Sequence, residues 1–231
     1  MNVSNDPRLI SYLTLRKTIG WLGILLPAAL IAGNAVFGSC TTIQSSVSHY
    51  YYTLTGNLFT GILCAVAFFL IAYKGYDKLD QLTSSLAGAF ALLIALFPTN
   101  TVTLAAVGTD KRSCVIFQLP ANALRNAVHY ISAGLFFLTL AFIAWFLFTR
   151  GDDFPTQEKR LRNRIYRMCS LVILVCVLLI GAYGIWGERE GPVSRLKPVF
   201  FLEWIALLAF GISWLIKGEL FLKDSNPAKD R

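Results

Sequence analysis

Charged residues are scarce in this chain: Asp, Glu, Lys and Arg make up 15% of its 231 residues, against about 25% in soluble domains. So little charge cannot surround an apolar fraction of 55% with a polar shell, which excludes an ordinary water-soluble globule and leaves lipid as the covering. Acids are rarer than bases, 13 against 21. The Lys and Arg nevertheless lie in short segments between apolar runs and form no continuous basic face, which excludes nucleic acid as a partner. There are only two histidines, and no HExxH or HxxxH pair, which removes the compact metal motifs. The five cysteines include no CxxC, which removes a thioredoxin-type redox motif and a zinc ribbon. Internal repeats, low-complexity tracts and any mark of a second domain are also missing, so residues 1–231 read as a single integral membrane domain.

What is present is a series of long apolar runs. Measured against the ~20 residues that cross a bilayer as a helix, they give candidate spans near 19–37, 58–73, 82–97, 128–148, 168–186 and 199–216. The second and third are short, but a tight hairpin in lipid satisfies their backbone better than two charge-free cylinders in water. The reading is an all-α polytopic membrane helix bundle of about six transmembrane helices. With the N-terminus inside, 15 basic residues fall on the inner side and 6 on the outer, so the positive-inside bias predicts both termini cytoplasmic. A bacterial inner (plasma) membrane is the expected location. A cysteine placed at Pro155 is then expected to be shielded from external label, and Lys111 to be reachable.

Local signals agree with these spans. Pro98 closes the third, Pro198 opens the sixth, and Gly218 follows Lys217. Pro27 predicts a kink in the first span. Small residues at helical spacing, Ala28/Ala32, Ala29/Gly33 and Ser84/Gly88, predict close helix contacts. The basic stretch from Thr156 to Arg167 is suited to anionic headgroups. An alternative reading makes the first span a lipoprotein-type signal ending at Cys40, but the run exceeds the usual signal core and five spans follow it.

Candidate chemistry gathers on the outer side. Cys64, Cys169 and Cys176 fall within spans and read as apolar fillers. Cys40 and Cys114 share the outer compartment, which predicts a disulfide between the first and second outer loops. Both histidines also map there: His49 just before the second span, and His129 at the start of the fourth. Glu203 is the one carboxylate clearly inside a span, and an ionisable group at that depth is a site candidate by default. Asn122, Asn126, His129 and Ser132 recur at helical spacing and predict a polar stripe. Tyr51 and its neighbours Tyr50 and Tyr52 follow His49 and suit the wall of an outward cavity.

Four readings compete for this cluster: a hydrogen-bonded network that pins helices, a pocket for a lipid headgroup or small polar ligand, a zinc site of His49, His129 and Glu203 with one position open to water, and a haem held by the two histidines. Two functions follow from different classes. One is a non-enzymatic protein that binds or senses a lipid or small polar ligand in an outward-facing pocket and needs no cofactor. The other is a zinc-dependent hydrolase of lipid amides or esters at the same place. A proton-coupled transporter is weaker, since Glu203 alone offers a carrier within a span. The partners in every case are membrane lipids.

The segments Ser45 to Thr53, Tyr73 to Asp77, Ala95 to Pro98, His129 to Ala133 and Phe210 to Gly218 resemble a bacterial family of uncharacterised six-span integral membrane proteins, and the likeness runs from about Ser45 onwards. It implies a six-span fold and no particular activity. The layout is more faintly similar to the DRAM-type membrane proteins. Its outer histidine-and-serine group is similar to the alkaline ceramidase and progestin/adiponectin receptor superfamily, although that group has seven spans and an HxxxH pair. This last likeness implies zinc held by the histidines and Glu203, with Ser46 or Ser48 assisting a bound water.

Overall fold

A chain in hydrocarbon must satisfy its own N–H and C=O groups, and a helix does so within a single segment. The computed structural model describes residues 7–75, 77–100, 114–151, 156–186 and 192–222, and most of these are helical. In chain order the helices are α1 (Pro7–Gly38), α2 (Gly56–Ala72), α3 (Lys78–Leu96), α4 (Ala123–Phe142), α5 (Gln157–Trp186), the short α6 (Pro192–Arg195) and α7 (Pro198–Lys217). A 3-10 turn, Ser48–Tyr52, precedes α2, and a π-helical turn, Ile143–Leu147, extends α4. Five helices are long and apolar enough to cross a membrane, while α2, at 17 residues, falls short of that length. The labelling positions Lys111 and Pro155 lie outside the described residues.

The six long helices form a ring in sequence order, α1 to α2 to α3 to α4 to α5 to α7, closed where α7 packs on α1. They alternate in direction. Arg16, Tyr73, Asp80, Phe148, Tyr166 and Lys217 therefore gather at one end, hereafter the arginine end. His49, His129 and Glu203 gather at the other, the histidine end. Aromatic rings fill the middle: Phe210 of α7 touches Phe136 of α4 and Trp214, and Trp214 meets Tyr73 and Phe148. Leu25, Phe68, Leu86, Leu171 and Leu178 are exposed, as suits side chains that face lipid rather than water.

Glycine sets the closest helix approaches. A Cβ on Gly20 would lie 2.8 Å from the Gly211 carbonyl, and one on Gly211 would lie 2.6 Å from the Gly20 carbonyl, so the ring closes glycine against glycine. A Cβ on Gly88 would lie 2.6 Å from the Ala67 carbonyl, which makes the Ser84/Gly88 pair the α2–α3 contact expected of it. Ala28 and Ala32 differ from expectation. Both are exposed, because the buried side of α1 is carried by Ile19, Leu26, Leu30 and Asn34 instead. Pro27 sits inside α1, which continues past it to Gly38.

Helices α1 and α5 begin well before the apolar runs that mark them. Gln157 to Arg167 adds three helical turns to α5 because straight-chain Gln, Glu, Lys and Arg propagate a helix as readily as apolar residues do. Side chains cap three of the helices: Asp77 accepts the Asp80 N–H at 2.9 Å on α3, Asn122 the Arg125 N–H at 2.9 Å on α4, and Thr156 the Lys159 N–H at 3.1 Å on α5.

Candidate functional site

At the histidine end, the segment from Cys40 to Thr55 folds over the ring opening. Cys40 and Cys114 are joined by a disulfide with Cα atoms 5.7 Å apart, as the shared compartment of the two thiols predicts. An isolated antiparallel bridge between Thr53 and Val115 and a bond from Ile116 N–H to the Tyr52 carbonyl hold the two loops together. Thr55 ties the segment to α1 through Asn34 Oδ1, 3.3 Å away.

His49 lies in the 3-10 turn, where its Nε2 faces the Asn100 carbonyl at 3.3 Å. Facing a carbonyl, Nε2 must carry the proton, so Nδ1 accepts from the hydroxyls of Ser45 at 2.7 Å and Ser46 at 3.0 Å. Burial pushes His49 down to about 4, against a smaller upward pull from the Asn100 carbonyl. The ring is therefore neutral near pH 7. His129 has the opposite tautomer. Its Nδ1–H donates to the Phe97 carbonyl at 2.8 Å, which leaves Nε2 to accept from Ser48 Oγ at 3.0 Å.

The polar stripe of α4 faces residues 97–100. Asn126 Oδ1 accepts from Thr99 Oγ1 at 2.9 Å and from Asn100 N–H at 2.8 Å, and Ser132 is buried a turn deeper than His129. Arg125 closes the same corner with bonds to the Pro98 and Pro120 carbonyls and to Asn100 Oδ1. Glu203, half-buried on α7, accepts the Val47 N–H at Oε2, 2.6 Å away. Among the described residues its Oε1 has no hydrogen-bond partner. Consecutive residues thus serve the three groups: Val47 binds Glu203, Ser48 binds His129, and His49 is itself the third.

Two expectations need correction. Among the described residues no three of His, Cys, Asp and Glu are placed to hold a metal together, so the three-ligand arrangement of His49, His129 and Glu203 expected from the sequence is not found there. Both histidines are turned to protein partners, and Glu203 holds the Val47 N–H at one oxygen. The same engagement of all four imidazole nitrogens leaves none for haem iron. The tyrosines differ from expectation too: Tyr50 and Tyr52 are core residues, packed on Phe200 and Phe117 respectively, while Tyr51 is half-buried against Tyr52 and Phe117.

The arginine end was read from the sequence only as a topology signal, and it holds a second polar cluster. The Arg16 guanidinium, 4% exposed, lies over the Tyr12 ring at 4.1 Å and donates to Tyr73 Oη at 3.1 Å and to the Lys217 carbonyl at 3.0 Å. A cavity of about 10 Å³, the size of one water, lies beside it, lined by Tyr73, Asp80, Ser84, Phe148 and Lys217. Asp80 is buried on α3, with Arg150 at 3.7 Å; Arg150 also binds Asp77 at 2.7 Å. A sequence signal did exist here. Tyr12 and Arg16 stand one turn apart on α1, and a cation stacked on a ring at that spacing need not point to water.

Compared with known proteins, the chain matches no family model, no curated protein and no solved structure.

Proposed function

We propose that the chain is a six-span integral membrane protein with both termini cytoplasmic, residing in a bacterial inner membrane, and that it binds a lipid or small polar ligand at the histidine end without catalysing a reaction. Helix α2 serves as the sixth span. At 1.5 Å per residue its 17 residues cover about 26 Å, and the flanking tight turns let the bilayer thin to meet it. The suggested likeness to six-span bacterial proteins rests on the short segments named above.

The observation that carries the binding reading is Glu203. It sits about 7.5 Å along α7 from Pro198, held at one oxygen by Val47 N–H, with the other oxygen unengaged among the described residues. A carboxylate at that depth favours a ligand that brings a donor, such as the ammonium or hydroxyl of a headgroup. The neutral histidine network around residues 45–49 fixes the N–H that holds it. Native mass spectrometry of the purified protein is expected to show a co-purifying amine- or hydroxyl-bearing lipid that Glu203→Gln loses. Identical lipid retention by wild type and variant would sink the reading. For orientation, an impermeant maleimide is expected to label a cysteine at Lys111 and to spare one at Pro155; the reverse pattern inverts the topology.

Acyl hydrolysis is a second reading, and one observation favours it without any metal: Ser48 Oγ is 3.0 Å from His129 Nε2, with Nδ1–H anchored on the Phe97 carbonyl. This is the spacing of a nucleophile and its general base. Covalent capture of Ser48 by a fluorophosphonate, abolished by His129→Gln, is its expected sign. An unmodified Ser48 after prolonged exposure rules it out.

A further inference from the structure

A π-helical turn gives up the regular hydrogen-bond ladder of a helix, and such turns are rare overall and concentrated at functional sites. In this chain the turn Ile143–Leu147 carries α4 to its end, with the Phe148 N–H bonded to the Ile143 carbonyl five residues back at 2.9 Å. The extra residue in the turn broadens the helix and leaves room beside it. Ile143, Leu147 and Phe148 line the cavity of about 10 Å³ at the arginine end. The rest of its lining is polar: Tyr73 at the end of α2, Asp80 and Ser84 of α3, and Lys217 at the end of α7.

A cavity of this volume holds one water, and water enters only where about two to four polar groups can bond it. An all-apolar void of the same size stays dry. The polar side chains here suit a water, because a carboxylate accepts several bonds, an ammonium donates several, and a hydroxyl does both. Ser84 shows this directly. Its Oγ donates to the Tyr73 carbonyl at 3.1 Å, which leaves its lone pairs to accept. Asp80 lies 3.7 Å from Arg150, too far for a direct hydrogen bond and a separation at which a water can serve both groups.

We infer that this cavity binds a single ordered water, which joins Asp80 and Ser84 of α3 to Lys217 of α7, and that the π-helical turn is what makes room for it. Helices α3 and α7 are not neighbours in the ring, so the water is a polar link across the ring interior. It ties the α2–α3 hairpin to the helix that closes the ring. The site stands apart from the histidine end and does not rest on the ligand proposed there.

The test is radiolytic labelling of the full-length protein in neutral detergent, in which a millisecond X-ray pulse turns bound water into hydroxyl radicals that mark the side chains beside it. Tyr73 and Phe148 are the reporters; both are buried, as are Tyr50 and Phe210, which do not line the cavity. Tyr73 is expected to be marked several-fold faster than Tyr50, and Phe148 several-fold faster than Phe210. Equal rates within each pair would overturn the site. Ser84→Thr supplies an independent check, since it keeps the hydroxyl and adds a methyl group that competes with the water for the same space. The excess marking is expected to fall by half or more in that variant, and its thermal midpoint to fall below that of wild type, because the methyl cannot replace the bonds of the water. A dry void would behave in the opposite way, gaining contacts on filling, so a raised midpoint or undiminished marking would also overturn the site.

Discussion

The two ends of the ring solve the problem of polar groups in a membrane protein in opposite ways. At the histidine end, the ring nitrogens of both histidines are matched to hydroxyls and carbonyls, and the loops are locked by a disulfide. At the arginine end, full charges meet carbonyls and rings and, among the described residues, the carboxylates of Asp77 and Asp80, both engaged by Arg150. Neutral bonds are local and insensitive to salt, whereas charges act over several ångströms and respond to ions and lipids. The difference implies that the stability of the first end is insensitive to salt and that of the second sensitive to it.

His129→Leu is the strongest way to break that contrast. It leaves the buried Ser48 hydroxyl without its acceptor and the part-buried Phe97 carbonyl without its donor, at a cost of about 1–3 kcal/mol for the buried hydroxyl alone. A thermal midpoint within a degree of wild type would show that the network is not what closes this end. Next comes the disulfide. Cys40 and Cys114 are 74 residues apart in sequence, and removing a bridge over such a loop costs about 2–4 kcal/mol. Cys40→Ser is expected to lower the midpoint in non-reducing buffer, and reductant to lower that of wild type to match.

Acid provides a graded test of the neutral network. His49 titrates at about 4 in the folded protein against 6.5 for the free side chain. Protons therefore favour the unfolded segment first, so the stability His49 contributes is complete above about pH 6.5 and is lost as pH falls towards 4, by at most ~3 kcal/mol. Hydrogen exchange at residues 45–53 is expected to rise across that window; a profile flat from pH 7 to 4 would contradict it. The smallest effect sharpens the contrast directly. Asp77→Ala and Asn122→Ala each remove a helix cap, and each is expected to lower the thermal midpoint slightly. Only the Asp77 change, which also releases the exposed Arg150 pair, is expected to shrink as salt rises from 0.05 to about 0.5 M.

The six long helices were readable because hydrocarbon thickness dictates the length of an apolar run, and each of them contains one. Their ends were less readable. Hydropathy sees where lipid begins, whereas a helix continues as long as its backbone bonds do, which is why α5 starts at Gln157 rather than near 168. At the histidine end, rarity singled out residues that the fold does bring to one end: two histidines, Glu203 and a stripe of asparagines. Their pairing was hidden, since Glu203 takes a backbone N–H from a loop, and loop backbones leave no periodicity to read. The disulfide was legible because compartment alone paired the two thiols. Arg16 escaped notice because a cation near the end of an apolar run looks the same in sequence whether it meets water or a tyrosine ring.

The contact between Gly20 and Gly211 also bears on how the protein is made. The two glycines are separated by about 190 residues, which at roughly 5–20 residues per second take on the order of 10–40 s to synthesise. For that interval α1 is already in the bilayer with its groove open, and nothing made before α7 can fill it. Helix α7 is thus the one that closes the ring, and a chain truncated before residue 198 leaves the glycine groove of α1 without its counterpart.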